Sequence, residues 1–184
     1  TGTEFPLITN MMGSSRRIAM ALGVERLDDI AERINSLLGE ALSPKGSLWE
    51  KMRMLPLLAD VAKWVPQSVS GRGEGQQVIW QGDEVDLERL PMLHSWECDG
   101  GAFVTLPMVN TVDPETGMRN VGMYRMQRFD KRTTGMHWHI HKTGARHYDA
   151  YKRLGQSMPV VVTLGGDPAY TYAATAPMPD NMDE

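Results

Sequence analysis

Cysteine is nearly absent from this chain. The single Cys98 among 184 residues excludes an internal disulfide and any thiolate-rich zinc site. That usage fits a reducing, cytoplasmic compartment. No run of about 18 apolar residues occurs, so a transmembrane helix is not expected. The opening "TGTEFPLITN" has neither the charged nor the apolar region of a signal peptide. Basic charge is also in deficit: 19 Lys and Arg face 23 Asp and Glu, for a net charge of −4. A global basic field for nucleic acid or an anionic membrane is therefore missing. What remains is an ordinary globular balance, with 41% hydrophobic residues, enough for a core of one medium domain or somewhat more. The 14 methionines read as core packing.

Along the chain, residues 13–42 carry a helical pattern. Ile18, Ala21, Leu22, Leu27, Ile30, Ala31, Ile34, Leu37 and Leu38 recur at three- and four-residue spacing. Gly23 separates a first helix from a second beginning near Asp28, where Asp28 and Asp29 suit the positive end of the helix dipole. A third helix is expected in "SLWEKMRMLPLLADVAKW", interrupted or restarted at Pro56. "QSVSGRGEGQ" reads as a linker or exposed loop. Beyond it the helical period is lost. Val78, Ile79 and Trp80, then Phe103, Val104 and Thr105, then residues 122–128, are strand candidates. "DPETG" at 113–117 is a hairpin-type turn. Residues 149–154 form a short helix ended by Gly155, and "MPVVVTLGGDP" a buried strand followed by a tight turn. The fold class is thus α+β. Residues 1–66 form a helical segment, 67–77 a linker, and 78–184 a mostly antiparallel β-domain.

"GMHWHIHKTGARHY", residues 135–148, holds four of the five histidines. On a strand, His137, His139 and His141 would share one face and could bind zinc or copper. Against this, alternate Cβ atoms on a strand stand about 7 Å apart, which stretches three side chains around one tetrahedral ion. No obvious carboxylate lies nearby to orient the rings. "GSSRR" at 13–17 suits an anion, but reads more simply as a helix N-cap with solvated arginines. The glycine pair in "LGGDP" reads as turn geometry. Asp180, Asp183 and Glu184 form an acidic end that is either solvated or able to hold a hard cation. These features alone do not name a reaction.

The stretch from Phe103 to Glu184, with "NVGMYR", "GARHY" and "PMPDNMDE", closely resembles the UbiD family of decarboxylases. The upstream pieces "FPLITNMMGSSRRIAMALGV" and "VDLERLPMLHSWECDGGAFVT" resemble it too, in the same order. The likeness is greatest to bacterial members acting on quinone precursors or other aromatic acids. It implies a split β-barrel after the helical segment. It also implies prenylated FMN, held by its phosphate through a divalent metal (Mn2+ or Mg2+) with K+ nearby. The implied activity is reversible, non-oxidative decarboxylation of an aromatic or α,β-unsaturated acid. Residue by residue, the resemblance makes Asn120, His147 and Glu184 the metal ligands, and Arg125 the catalytic arginine beside flavin and substrate carboxylate. It lays Gly122, Met123 and Tyr124 along the cofactor, with Arg146 beside His147. Ala174, Thr175, Ala176 and Pro177 supply backbone contacts to cofactor and potassium. His141 and Lys142 become the pair facing the cofactor. An amide oxygen, an imidazole and a carboxylate, completed by phosphate oxygen and water, suit an octahedral hard or borderline ion.

Family members carry a large portion after the metal glutamate, including the glutamate that protonates the product carbon; no carboxylate here matches its motif. Three readings stay open: a fragment of a decarboxylase, one subunit of a split enzyme whose complementary polypeptide carries the rest, or a stand-alone FMN-binding module without catalysis. The complete enzyme is expected to be a homo-oligomer.

Overall fold

The computed structural model describes residues 4–42, 52, 55–63, 65, 67–176, 178, 182 and 183. Contacts group the chain into two compact units, Gly23–Ile79 on one hand and residues 1–22 with 80–184 on the other. Residues 1–22 thus cluster with the β-rich part.

In the Gly23–Ile79 unit, helix α2 (Leu27–Leu42) follows Gly23, whose φ of 67° ends the preceding helix in the left-handed conformation glycine tolerates. Asp28 and Asp29 occupy its first turn, and Asp29 accepts a hydrogen bond from the Arg26 N–H at 3.2 Å. Helix α3 (Leu55–Ala62) restarts at Pro56, whose missing N–H costs nothing in a first turn. The rest of the helix expected over 47–64 lies largely outside the described residues.

The other unit opens with α1 (Ser15–Ala21). Ser14 caps it by accepting from the Arg17 N–H at 3.3 Å, and Arg17 Nη1 donates to the Asn10 carbonyl at 2.9 Å. "GSSRR" is thus a working N-cap. Val78, Ile79 and Trp80 form no strand: 3-10 turns at Glu74–Gln76 and Gly82–Glu84 bracket them, and Val78 is exposed. Trp80 instead lies under the Arg89 guanidinium, 4.4 Å from the ring centroid.

Among the described residues, six strands form two antiparallel three-stranded sheets. One has the order β1 (Phe103–Val104), β4 (Met126–Arg128), β5 (Thr134–Met136). The other has the order β3 (Arg119–Met123), β2 (Met108–Val112), β6 (Val161–Thr163). No closed barrel forms among the described residues. "DPETG" is the turn between β2 and β3: Gly117 takes φ 76°, its N–H reaches the Asp113 carbonyl, and the Asp113 N–H pairs with the Met118 carbonyl. That closure sets the register Thr111 opposite Asn120 and Val109 opposite Gly122.

The single strand expected over 122–128 is split at Tyr124 and Arg125. The Tyr124 ring turns back over Gly122, and the Arg125 carbonyl accepts from His137 N–H at 2.9 Å. The chain leaves one sheet there and enters the other. Apolar side chains from both sheets meet in one core, with Val109, Tyr124 and Met126 buried and Val104, Met136, Trp138 and Val162 packed around them.

Strand β5 ends at Met136, so the alternating histidines follow the strand rather than ride on it. Helix α4 (Thr143–Arg153) starts six residues earlier than the pattern suggested and packs on β2 and β3. The strand in "MPVVVTLGGDP" is an edge strand, with Val161 64% exposed, and not a buried one. Gly165 and Gly166, both at positive φ, turn the chain into α5 (Pro168–Ala173), which Asp167 caps through the Ala169 N–H at 2.8 Å.

Candidate functional site

The helical face of the second sheet carries a buried polar cluster. β-Strand alternation puts Val109 and Thr111 on the same side of β2, opposite Gly122 and Asn120 of β3. Helix α4 covers this side and brings His147 down from its second turn. Thr111, Asn120 and His147 are 1%, 4% and 7% exposed, a depth at which polar groups must find partners. They find each other: Asn120 Nδ2 donates to Thr111 Oγ1 at 3.2 Å, and that oxygen lies 2.9 Å from His147 Nδ1. Two of the three expected metal ligands, 27 positions apart in sequence, are therefore held together by one hydroxyl. Thr111 is the residue that sequence reasoning missed. Its only signal was a polar β-branched residue two positions after a buried valine, which no spacing rule marks.

The amide orientation matters for chemistry. With Nδ2 turned to Thr111, the other terminus of Asn120 is the oxygen, the atom a hard cation takes. With Nδ1 held at Thr111, Nε2 is the nitrogen of His147 that could take a metal. The donor set thus fits a divalent ion by the character of its atoms. Glu184, the third expected ligand, lies outside the described residues, as does Pro177. Its neighbour Asp183 does not: the carboxylate accepts from the Arg119 backbone N–H at 2.7 Å and from Arg119 Nη2 at 2.6 Å. Asp183 is thus stapled beside Asn120. The Arg119 guanidinium, and then its backbone N–H, pull the Asp183 carboxyl down to about 2.

A cleft of about 160 Å³ opens beside the cluster, lined by Asp113, Glu115, Arg119, Arg146, His147 and Arg153 among others. Arg153 pairs with Glu115 at 3.2 Å. The Glu115 backbone N–H at 2.8 Å holds the Asp113 carboxyl below its ordinary value against the opposing effect of burial, with His147 a smaller electrostatic contributor. Arg146 lines this cleft and donates to Thr143 Oγ1 at 3.2 Å.

Gly122 and Tyr124 prove to be one device. A Cβ on Gly122 would fall 2.5 Å from the Tyr124 ring and hydroxyl. The glycine therefore makes room for this chain's own tyrosine. The Tyr124 hydroxyl accepts from Gly144 N–H at 3.2 Å in the first turn of α4, and its ring meets Trp138 edge-on at 5.6 Å. Tyr124 so fixes the start of the helix that carries His147. Met123 is half-buried at the end of β3.

Arg125 is exposed, its guanidinium 4.6 Å from the Phe103 ring centroid. His137, His139 and His141 are exposed as well, as a row of rings with centroids 5.4 and 5.6 Å apart. Among the described residues no group of three or more His, Cys, Asp or Glu side chains is placed to hold a metal, so the row is no three-histidine site. Lys142 is the N-cap residue of α4. Ala174 is buried directly after α5, where Thr175 Oγ1 donates to the Tyr172 carbonyl at 2.6 Å.

A buried Asn–Thr–His cluster between an antiparallel sheet and a covering helix defines a mixed helix-and-sheet domain with a hard-donor pocket. The chain belongs to the UbiD family: residues 67–184 match the model of the 3-octaprenyl-4-hydroxybenzoate carboxy-lyase Rift-related domain. It is 43% identical over 183 residues to a protein of Aquifex aeolicus and 41% identical over 184 residues to one of Archaeoglobus fulgidus. All of this chain but only 37% of each relative is covered, so the chain spans a little over a third of their length. The fold is also that of the UbiD-class enzyme HmfF from Pelotomaculum thermopropionicum, solved in complex with FMN. The TM-score is 0.73 at 20% identity, over 100% of this chain and 36% of that one. Vanillic acid decarboxylase of Sedimentibacter hydroxybenzoicus in its closed form gives a TM-score of 0.70 at 24% identity, over 97% and 35%. Among the described residues no helix is long and apolar enough to cross a membrane.

Proposed function

We propose that this chain is the cofactor-holding part of a cytoplasmic UbiD-type decarboxylase for aromatic or α,β-unsaturated carboxylic acids, quinone-precursor-like acids being favoured. The observation that carries the reading is the buried meeting of Asn120 and His147 on Thr111. Asn120 Oδ1, His147 Nε2 and a Glu184 carboxylate oxygen would hold Mn2+ or Mg2+ against the phosphate of prenylated FMN. The backbone of 174–177 would serve K+ and the cofactor, with Gly122, Met123, Tyr124, His141, Lys142 and Arg146 around it. Prenylated FMN, when bound, supplies an electron sink for loss of carbon dioxide. Arg125 binds the substrate carboxylate: its permanently charged planar fork can grip two oxygens at once. The Phe103 ring beneath it limits the directions the fork can take. The remainder of the protein, on this polypeptide or a complementary one, supplies the acid that returns a proton to carbon, completes the split barrel, and makes the contacts of a homo-oligomer. The domain division 1–66, 67–77 and 78–184 belongs to this same reading.

Three measurements test it. Mass spectrometry of flavin extracted from the full-length protein should find prenylated FMN; plain FMN with no decarboxylation of any aromatic acid would instead favour a flavin-binding module. Arg125→Ala should abolish turnover while flavin is retained, and surviving turnover removes its role. Glu184→Gln should lose metal-dependent flavin binding, whereas unchanged occupancy removes Glu184 from the ligand set.

A further inference from the structure

We infer that Thr111 is a positioning residue of the metal centre, acting through both Asn120 and His147; this rests on the ligand roles proposed above. A hydroxyl oxygen has two lone pairs, so it can accept two hydrogen bonds at once. A metal on His147 Nε2 requires the proton on Nδ1, which then donates to Thr111 Oγ1 across the 2.9 Å contact. A metal on the Asn120 oxygen requires its NH2 turned the other way, which is the orientation the 3.2 Å bond to the same Oγ1 holds. One oxygen can therefore hold both the amide orientation of one ligand and the ring tautomer of the other that metal binding requires.

Three further features favour this division of labour over a merely structural hydroxyl. Thr111 is 1% exposed, so bulk water is kept from taking the place of its oxygen. It stands directly opposite Asn120 in the β2–β3 register, so the distance between them is set by the sheet and not by a flexible side chain. The ligands arrive from two different elements, a strand and a helix, and Thr111 joins both. Its β-branched side chain has few χ1 choices, which keeps the oxygen where the two donors converge.

The test compares Mn2+ binding by the full-length apoprotein in the presence of FMN, read from the loss of the free-Mn2+ electron paramagnetic resonance signal. Thr111→Val keeps the shape and removes the acceptor. It is expected to weaken Mn2+ binding by about 10–100-fold, the range found when partners behind a ligand are lost. Thr111→Ser restores the oxygen and should bind within about threefold of the parent. If Thr111→Val does not fold, judged by circular dichroism, Thr111→Ala takes its place under the same criteria. Parent-like affinity without the hydroxyl, while Asn120→Ala and His147→Ala lose the metal, would overturn the positioning role and leave the proposed site intact. Parent-like affinity in Asn120→Ala and His147→Ala as well would refute the site, and the role of Thr111 with it. A loss in Thr111→Ser equal to that in Thr111→Val also counts against the hydroxyl.

Discussion

Gly122→Ala should be one of the most damaging single-methyl additions available to this chain, and its cost can be worked from the geometry. The new Cβ would lie 2.5 Å from the Tyr124 ring and hydroxyl, where carbon atoms prefer about 3.5–4.0 Å, so the ring must retreat by about 1 Å. It has nowhere to go: Trp138 stands edge-on against it at 5.6 Å, and its hydroxyl is engaged with Gly144 N–H. Overpacking of a filled core costs about 1–3 kcal/mol. Losing the tyrosine hydroxyl leaves a buried helix-start N–H unpaired, for about another 1–3 kcal/mol. Alanine recovers about 0.5–1 kcal/mol, because Gly122 is not at positive φ and glycine is entropically unfavourable in a strand. The net expectation is about 1–5 kcal/mol by urea unfolding followed through tryptophan fluorescence, or about 2–4 °C of melting temperature per kcal/mol. The decisive control is a double-mutant cycle. With Tyr124→Ala already present, adding Gly122→Ala should be neutral or slightly stabilising. An equal cost in both backgrounds, or a cost below about 0.5 kcal/mol in the parent, would refute the view that Gly122 exists to seat Tyr124.

Other expectations follow from the same contacts. Gly117→Ala must hold φ near 76° in the β2–β3 turn and should cost about 1–2 kcal/mol in thermal or urea unfolding. Arg119→Ala should release the staple on Asp183, speeding proteolytic clipping of the acidic end and weakening Mn2+ retention, increasingly so as salt is lowered and the parent's ion pair strengthens. Asp130 has a carboxyl held below its ordinary 3.8 by the Arg132 N–H first, then by Thr133. Its contribution to stability is complete above pH 3.8 and is lost as pH falls through the lowered folded value. Asp130→Asn should therefore flatten that part of the melting temperature's acid limb.

Local signals were legible where a few consecutive residues decide the outcome. "DPETG" closes a hairpin because aspartate, proline and glycine each set one backbone feature of the turn. Ser14 and Pro56 begin helices for equally local reasons. The pattern failed where partners decide. Val78, Ile79 and Trp80 have the composition of a strand but, among the described residues, no strand beside them. "VVVT" is apolar enough for a core, yet it runs along a sheet edge. The histidine row drew attention to alternation, although β5 stops at Met136, and the start of α4 was hidden behind it. Asn120 and His147 could be named only through resemblance, since their meeting depends on strand register and on where a helix lands. Thr111 escaped both routes, because nothing distinguishes it from any other threonine until Asn120 is placed opposite.

The turn at 113–117 carries a consequence beyond its own five residues. Surface hairpin loops usually tolerate insertion and deletion. Here the loop acts as a gauge for what lies behind it. Moving β3 by one residue against β2 would turn Asn120 to the far side of the sheet and present Arg119 or Val121 to Thr111 instead. Length changes at this exposed tip should therefore be penalised as severely as substitutions in the pocket, and a library of loop variants selected for metal retention should return a single length.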